Sequence, residues 1–199
     1  MNTTSPQGGN TTVKRLLANL FLRLTGWQPE GRTPAARRYV LIAAPHTSNW
    51  DLPYLLAFAV IFGVRVTWMG KHTLFRGPMG WVMRKLGGTP VRRHRSNDLV
   101  QQMADVIQAE SDIALVVPAE GTRSYTPHCK SGFYHIARTA NVPIVLSYLD
   151  YARRRGGFGP ELIPSGDIRE DMEEIRAFYA DKKGRYPDKM GEVRLKEEM

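Results

Sequence analysis

An α/β fold, with a mostly parallel sheet flanked by helices, is what this sequence predicts. Three observations point there. Short apolar runs that read as strands alternate along the chain with helical patterns. The 199 residues, 42% of them hydrophobic, suffice for one domain with a real core. The two clusters richest in reactive side chains, residues 46–51 and 120–124, each directly follow a predicted strand, and the loops at strand ends are where α/β sheets carry their sites.

Each element has its own warrant. Residues 1–12 are rich in Asn, Thr, Ser and Gly and read as a disordered tail. Residues 13–25 form an amphipathic helix, with Val13, Leu16, Leu17, Leu20, Phe21 and Leu24 on one face and Arg15, Asn19 and Arg23 opposite. That basic, apolar-faced helix either lies in a membrane interface or packs on the protein's own core. Residues 26–38, broken by Pro29, Gly31 and Pro34, read as a loop. Residues 39–44 are a buried strand ended by Pro45, and an apolar helix follows through Phe62, capped by Asp51 or Asn49. Residues 64–69 are strand-like. A helix over 79–86 is stopped by Gly87-Gly88, and its Trp81 and Met83 read as core rather than as a channel wall. Residues 98–110 are an amphipathic helix with Leu99, Met103, Val106 and Ile107 on one side. A strand over 113–117, a helix over 132–140 and a strand over 143–149 come next. Residues 153–157 turn the last of these back toward 158–163. A charged helix spans 168–181, and 186–199 read as a charged, mobile tail. The domain proper is thus expected over 26–185.

Charge narrows the function classes. The net charge is +9. Residues 1–160 carry 20 Lys and Arg against 8 Asp and Glu, whereas residues 161–199 carry 8 against 11. The main body therefore favours a polyanionic partner: a phosphate-bearing substrate, an anionic membrane, or nucleic acid. No nucleic-acid motif accompanies the charge, so a basic binding module without catalysis is the weaker reading. No uncharged stretch approaches the ~20 residues of a spanning helix, and no signal peptide is evident. One cysteine, Cys129, excludes an internal disulfide framework and fits a reducing compartment. No metal is implied, because the five histidines lack His-Glu-x-x-His or Cys-pair spacing.

The chemistry lies in the clusters. His46 and Asp51 pair an imidazole with a carboxylate, the smallest unit that takes a proton from a hydroxyl at neutral pH. Glu120-Gly121-Thr122-Arg123-Ser124 offers close backbone approach, hydroxyls and a guanidinium fork for phosphate. A third, cationic cluster runs from Lys71 to Arg76 and on through Gly87 to Arg93. Lys130-Ser131-Gly132 sets a cation beside a helix start.

Together these clusters resemble the glycerolipid acyltransferase family, of the 1-acyl-sn-glycerol-3-phosphate acyltransferase type. Its His-x4-Asp block is matched by His46 and Asp51. A Lys-x-x-Leu-Phe segment is matched by Lys71, Leu74 and Phe75, and a Gly-Gly-x-x-apolar-x-Arg block by Gly87, Gly88, Val91 and Arg93. A Pro-x-Glu-Gly-Thr-Arg-Ser block is matched by Pro118 and Glu120 through Ser124, and an apolar-Pro-apolar strand by Val142 to Val145. Arg92 stands where relatives have an acidic or small polar residue, and Ala119 and Cys129 replace the usual phenylalanines.

The resemblance implies an O-acyltransferase without metal or cofactor. Acyl-CoA or acyl-carrier protein would be the donor, and 1-acylglycerol-3-phosphate or a similar lysophospholipid the acceptor. His46 would be the general base and Asp51 its orienter. Glu120, Gly121, Thr122 and Arg123 would shape the acceptor site, with Arg123, Arg93 and Lys71 on its phosphate. The enzyme would sit peripherally on the cytoplasmic face of an anionic membrane. An amino-acid lipid or a glycolipid as acceptor is the alternative on the same chemistry. Oligomeric state is left open.

Overall fold

The computed structural model describes residues 8–91 and 96–198, and among these seven strands form one sheet. The elements run α1 (Gly8–Thr25), β1 (Gln28–Glu30), β2 (Arg38–Ala43), α2 (Asp51–Phe62), β3 (Val66–Lys71), α3 (Gly77–Lys85), β4 (Gly88–Val91), α4 (Ser96–Ala109), β5 (Ile113–Pro118), α5 (Gly132–Ala140), β6 (Ile144–Asp150), β7 (Arg155–Leu162) and α6 (Ile168–Tyr179). The strand order is β1-β7-β6-β2-β5-β3-β4. Every pairing is parallel except β6 with β7, so the expected α/β class and mostly parallel sheet are what the chain adopts.

The central strands are buried on both faces, as parallel strands covered by helices must be. Their residues alternate strictly between two cores. Val40, Ile42, Leu115, Val117, Ile144 and Leu146 face one core, which also takes in Met103 and Ile107 of α4, Phe133 of α5 and Met172 of α6. Tyr39, Leu41, Ala114, Val116 and Val145 face the other, against Leu55, Leu56 and Ala59 of α2. Helix α2 is apolar all round because it is covered twice. Its outer side, Tyr54, Ala57 and Phe58, meets Ala18 and Leu22 of α1 and Trp27. Gly63 in the left-handed region (φ 69°) ends α2, its N–H bonding back to the last turn.

Several expectations are corrected. Helix α1 begins at Gly8, inside the segment expected to be a disordered tail; residues 1–7 lie outside the described residues. Its core contact is made by Ala18, Phe21 and Leu22. Val13, Leu16, Leu17, Leu20 and Leu24, the rest of its predicted apolar face, are between 51% and 78% exposed. The expected loop at 26–38 contains β1, which pairs with β7. Strand β4 was hidden because it is a four-residue edge strand holding Gly88 and Pro90, without alternation. Trp81 is not core: it is 62% exposed, with the Lys85 ammonium 4.1 Å from its ring centroid. The tail after 186 is docked, not free. The Cys129 N–H donates to the Arg194 carbonyl at 2.8 Å, Leu195 is fully buried, and Arg176 pairs with Glu198. Among the described residues no helix is long and apolar enough to cross a membrane.

Candidate active site

Strands β2 and β5 lie side by side in register, Ala43 opposite Pro118. The chain leaves β2 toward α2 on one face and β5 toward α5 on the other. Such a reversal opens a crevice beyond the carboxyl ends of the two strands. Residues 74 apart in sequence thereby meet: the His46 N–H donates to Glu120 Oε1 at 3.0 Å.

Asp51 does not cap α2. It is the first helical residue, Trp50 occupies the cap position without a side-chain bond, and the carboxylate turns instead to the preceding loop. Its Oδ2 lies 3.0 Å from His46 Nδ1 and accepts the Ser48 N–H at 3.1 Å. Its Oδ1 accepts the Tyr151 hydroxyl at 2.7 Å. Because the buried carboxylate only accepts, it fixes the imidazole tautomer with the proton on Nδ1. Nε2 is left as the basic nitrogen for a substrate.

His46 and Asp51 line a cavity of about 570 Å³, within the range that holds a small ligand. Its walls are largely apolar, from Leu52, Leu55 and Phe58 of α2 to Val116 and Leu149 of the sheet. Thr122, Arg123 and Lys130 add polar groups. Arg123 is exposed and pairs with no described carboxylate. Gly121 takes φ +67°, and a Cβ there would come within 2.9 Å of the Lys130 side chain. The left-handed φ is what favours glycine in this turn, and the flexible end of Lys130 lies across it.

Glu120, expected to help shape the acceptor site, sits behind the His46 loop. It is buried, it is absent from the cavity lining, and one of its oxygens holds the His46 backbone. The other, Oε2, has no partner among the described residues. Burial pushes the carboxyl above the usual carboxylate range, against the opposing pull of the His46 N–H. Thr122 turns its hydroxyl to the Ser124 N–H at 3.2 Å while still lining the cavity. Lys71 is the last residue of β3, and its side chain, like all of Arg93, lies outside the described residues. At the start of α5, Ser131 Oγ donates to the chain's own Glu197 at 2.6 Å, while Lys130 and Gly132 still line the cavity. Cys129 is buried, and burial pushes its thiol up to about 12. Among the described residues no group of three or more His, Cys, Asp or Glu is placed to hold a metal ion.

Two contributors escape the sequence reading. Tyr151, just beyond β6, reaches Asp51 from 100 residues away. A C-terminal strap also crosses the His46 loop: the Tyr186 N–H donates to Thr47 Oγ1 at 3.2 Å, and the Arg185 guanidinium lies over the rings of Trp50 and Tyr151. The available signal was positional, since Tyr151 follows the carboxyl end of the strand beside β2.

A family model described as Acyltransferase matches residues 28–148. Among solved structures, the chain is similar to the crystal structure of the 1-acyl-sn-glycerophosphate (LPA) acyltransferase, PlsC, from Thermotoga maritima. The TM-score is 0.59 and the identity 19%, over 86% of this chain and 75% of that one. That likeness is one of fold. No curated protein sequence matches the chain.

Proposed function

The chain belongs to the Acyltransferase family, and on that premise we propose that it moves a fatty acyl group from an acyl thioester to a hydroxyl of 1-acylglycerol-3-phosphate or a similar lysophospholipid. The donor is acyl-CoA or acyl-carrier protein. One observation carries the reading: the His46–Asp51 pair, at 3.0 Å, lines an apolar cavity that also holds Arg123 and Lys130.

In this reading His46 Nε2 takes the proton of the acceptor hydroxyl as its oxygen attacks the thioester carbonyl. The C–S bond then breaks, and the imidazolium returns the proton to the departing thiolate. Asp51 holds the tautomer and offsets the charge that develops on the ring. Arg123 and Lys130, with Lys71 and Arg93 as the family resemblance implies, hold the acceptor phosphate. The apolar walls take an acyl chain. No metal or cofactor enters these steps. The exposed leucines of α1, beside Lys14, Arg15 and Arg23, dock the enzyme on the anionic cytoplasmic face of a membrane.

The test is thiol release from an acyl thioester in the presence of lysophosphatidate, with mass spectrometry of the diacyl product. His46→Ala should lower the rate by ~10²–10⁴. Wild-type turnover in that variant would refute the assignment of the base.

A further inference from the structure

The carboxylate of Asp51 is held by three donors, two on Oδ2 and one on Oδ1. The His46 ring and the Ser48 N–H belong to the loop that carries the base. The third donor comes from elsewhere. We propose that Tyr151 is a positioning residue for the His46–Asp51 pair: its hydroxyl locks the rotation of the Asp51 carboxylate and draws off part of its charge. The kinetic part of this proposal rests on the acyl-transfer reading; the electrostatic part does not.

Tyr151 is itself fixed at four points, three on its ring and one on its backbone. Trp27 meets its ring edge-on at 4.9 Å between centroids, and Tyr54 of α2 does so at 5.9 Å. The guanidinium of Arg185 lies 5.8 Å from the ring centroid. The Tyr151 N–H donates to the Lys183 carbonyl at 2.9 Å. A ring so held keeps its hydroxyl on Oδ1. Burial and the adjacent carboxylate push the phenol far above its ordinary range, so it remains a donor throughout the working pH range. The other titratable or charged groups facing the pair are Glu120 behind His46, Tyr54 beside Tyr151, and Arg185 across it.

The consequence has a sign. With the hydroxyl removed and only the Ser48 N–H left beside the ring, more of the carboxylate charge falls on His46 and favours the imidazolium. Tyr151→Phe keeps the ring packing and deletes only the donor. The NMR titration of the His46 ring should lie at higher pH in the variant than in the wild type, and the acid limb of kcat/KM should move with it. The rate constant kcat should fall ~10-fold with KM for both substrates unchanged. Incorporation of 3-fluorotyrosine at position 151, a stronger donor, should move the His46 titration the opposite way. Superimposable titrations, or a Tyr151→Phe shift to lower pH, would overturn the proposal. If wild-type protein transfers no acyl group to any lysophospholipid, the functional reading fails, and the NMR titration still decides the role of Tyr151.

Discussion

Replacing Asp51 by Asn isolates the charge of the carboxylate from its geometry. The Asn carbonyl oxygen can take the place of Oδ2, accepting from His46 Nδ1 and the Ser48 N–H, which lie 3.0 and 3.1 Å from it in the wild type. The amide group then faces the Tyr151 oxygen, which turns its own proton aside. All three partners are kept and only the negative charge is lost. The side chains of the pair are 20% and 8% exposed, so an intermediate effective dielectric applies. At a charge separation near 4 Å the attraction is then worth about 4 kcal/mol. Tyr151 already draws on the carboxylate, which brings the expected cost to roughly 2–4 kcal/mol in the transition state. At 1.36 kcal/mol per decade that is a ~30- to 1000-fold fall in kcat. KM for donor and acceptor should not change, because the charge acts on the imidazolium that forms during reaction. The assay is thiol release at saturating lysophosphatidate, with thermal unfolding measured alongside. Asp51→Ala is a poorer probe, since it strands three donors, each at a cost of up to about 1–3 kcal/mol. A kcat for Asp51→Asn within threefold of wild type, at unchanged Tm, would refute the assignment of Asp51 as the partner of the base.

Four further outcomes are expected. Arg123→Ala should raise the acceptor KM ~10-fold or more with kcat little altered; an unchanged KM with a lowered kcat would contradict a phosphate contact. Leu16→Glu with Leu20→Glu should abolish cosedimentation with anionic liposomes at unchanged Tm, because both side chains face away from the core; retained binding would place membrane contact elsewhere. Glu120→Gln keeps an acceptor for the His46 N–H. A carboxyl raised in the folded state favours folding below its unfolded value and loses that advantage as pH rises through the folded one. The Tm of the variant should therefore gain on wild type as pH rises from 4 to 8, and parallel curves would count against a buried, raised carboxyl. Cys129, with its thiol pushed up to about 12, should resist a thiol reagent at pH 8 until denaturant is added, and rapid labelling of native protein would contradict that burial.

What the sequence made legible was local. The helices over 98–110 and 132–140 announced themselves by period, and the strands after 39 and 113 by unbroken apolar runs. The residues of chemistry were legible too, because His46 and Glu120 stand at strand ends. The order of the strands was not, since no local pattern says that β5 inserts between β2 and β3. The tail shows the opposite failure. Its acids outnumber its bases, and Val193 and Leu195 follow no helical spacing, so it reads as solvated. Yet Leu195 fills a gap beside Cys129, and Arg176 and Ser131 claim two of the acids. Period detects faces that pack as regular elements, and it misses single anchors.

Exposure is likewise something that period does not report, at α1 as at α3. A periodic apolar stripe was expected to imply burial or a membrane for α1, and Trp81 was assigned to the core. In the fold, α1 spends only Ala18, Phe21 and Leu22 on its neighbour and leaves its leucine stripe outward. The same contact sets Trp27 and Tyr54 against Tyr151, which holds Asp51. Helix α1 therefore bears on the site through packing as well as through any membrane it meets. Deleting residues 1–25 would disturb both at once, so loss of activity in such a truncation says nothing about membranes. Charge placed on the outward stripe separates the two roles, because it leaves the packed side of the helix, and with it the aromatic support of Tyr151, in place.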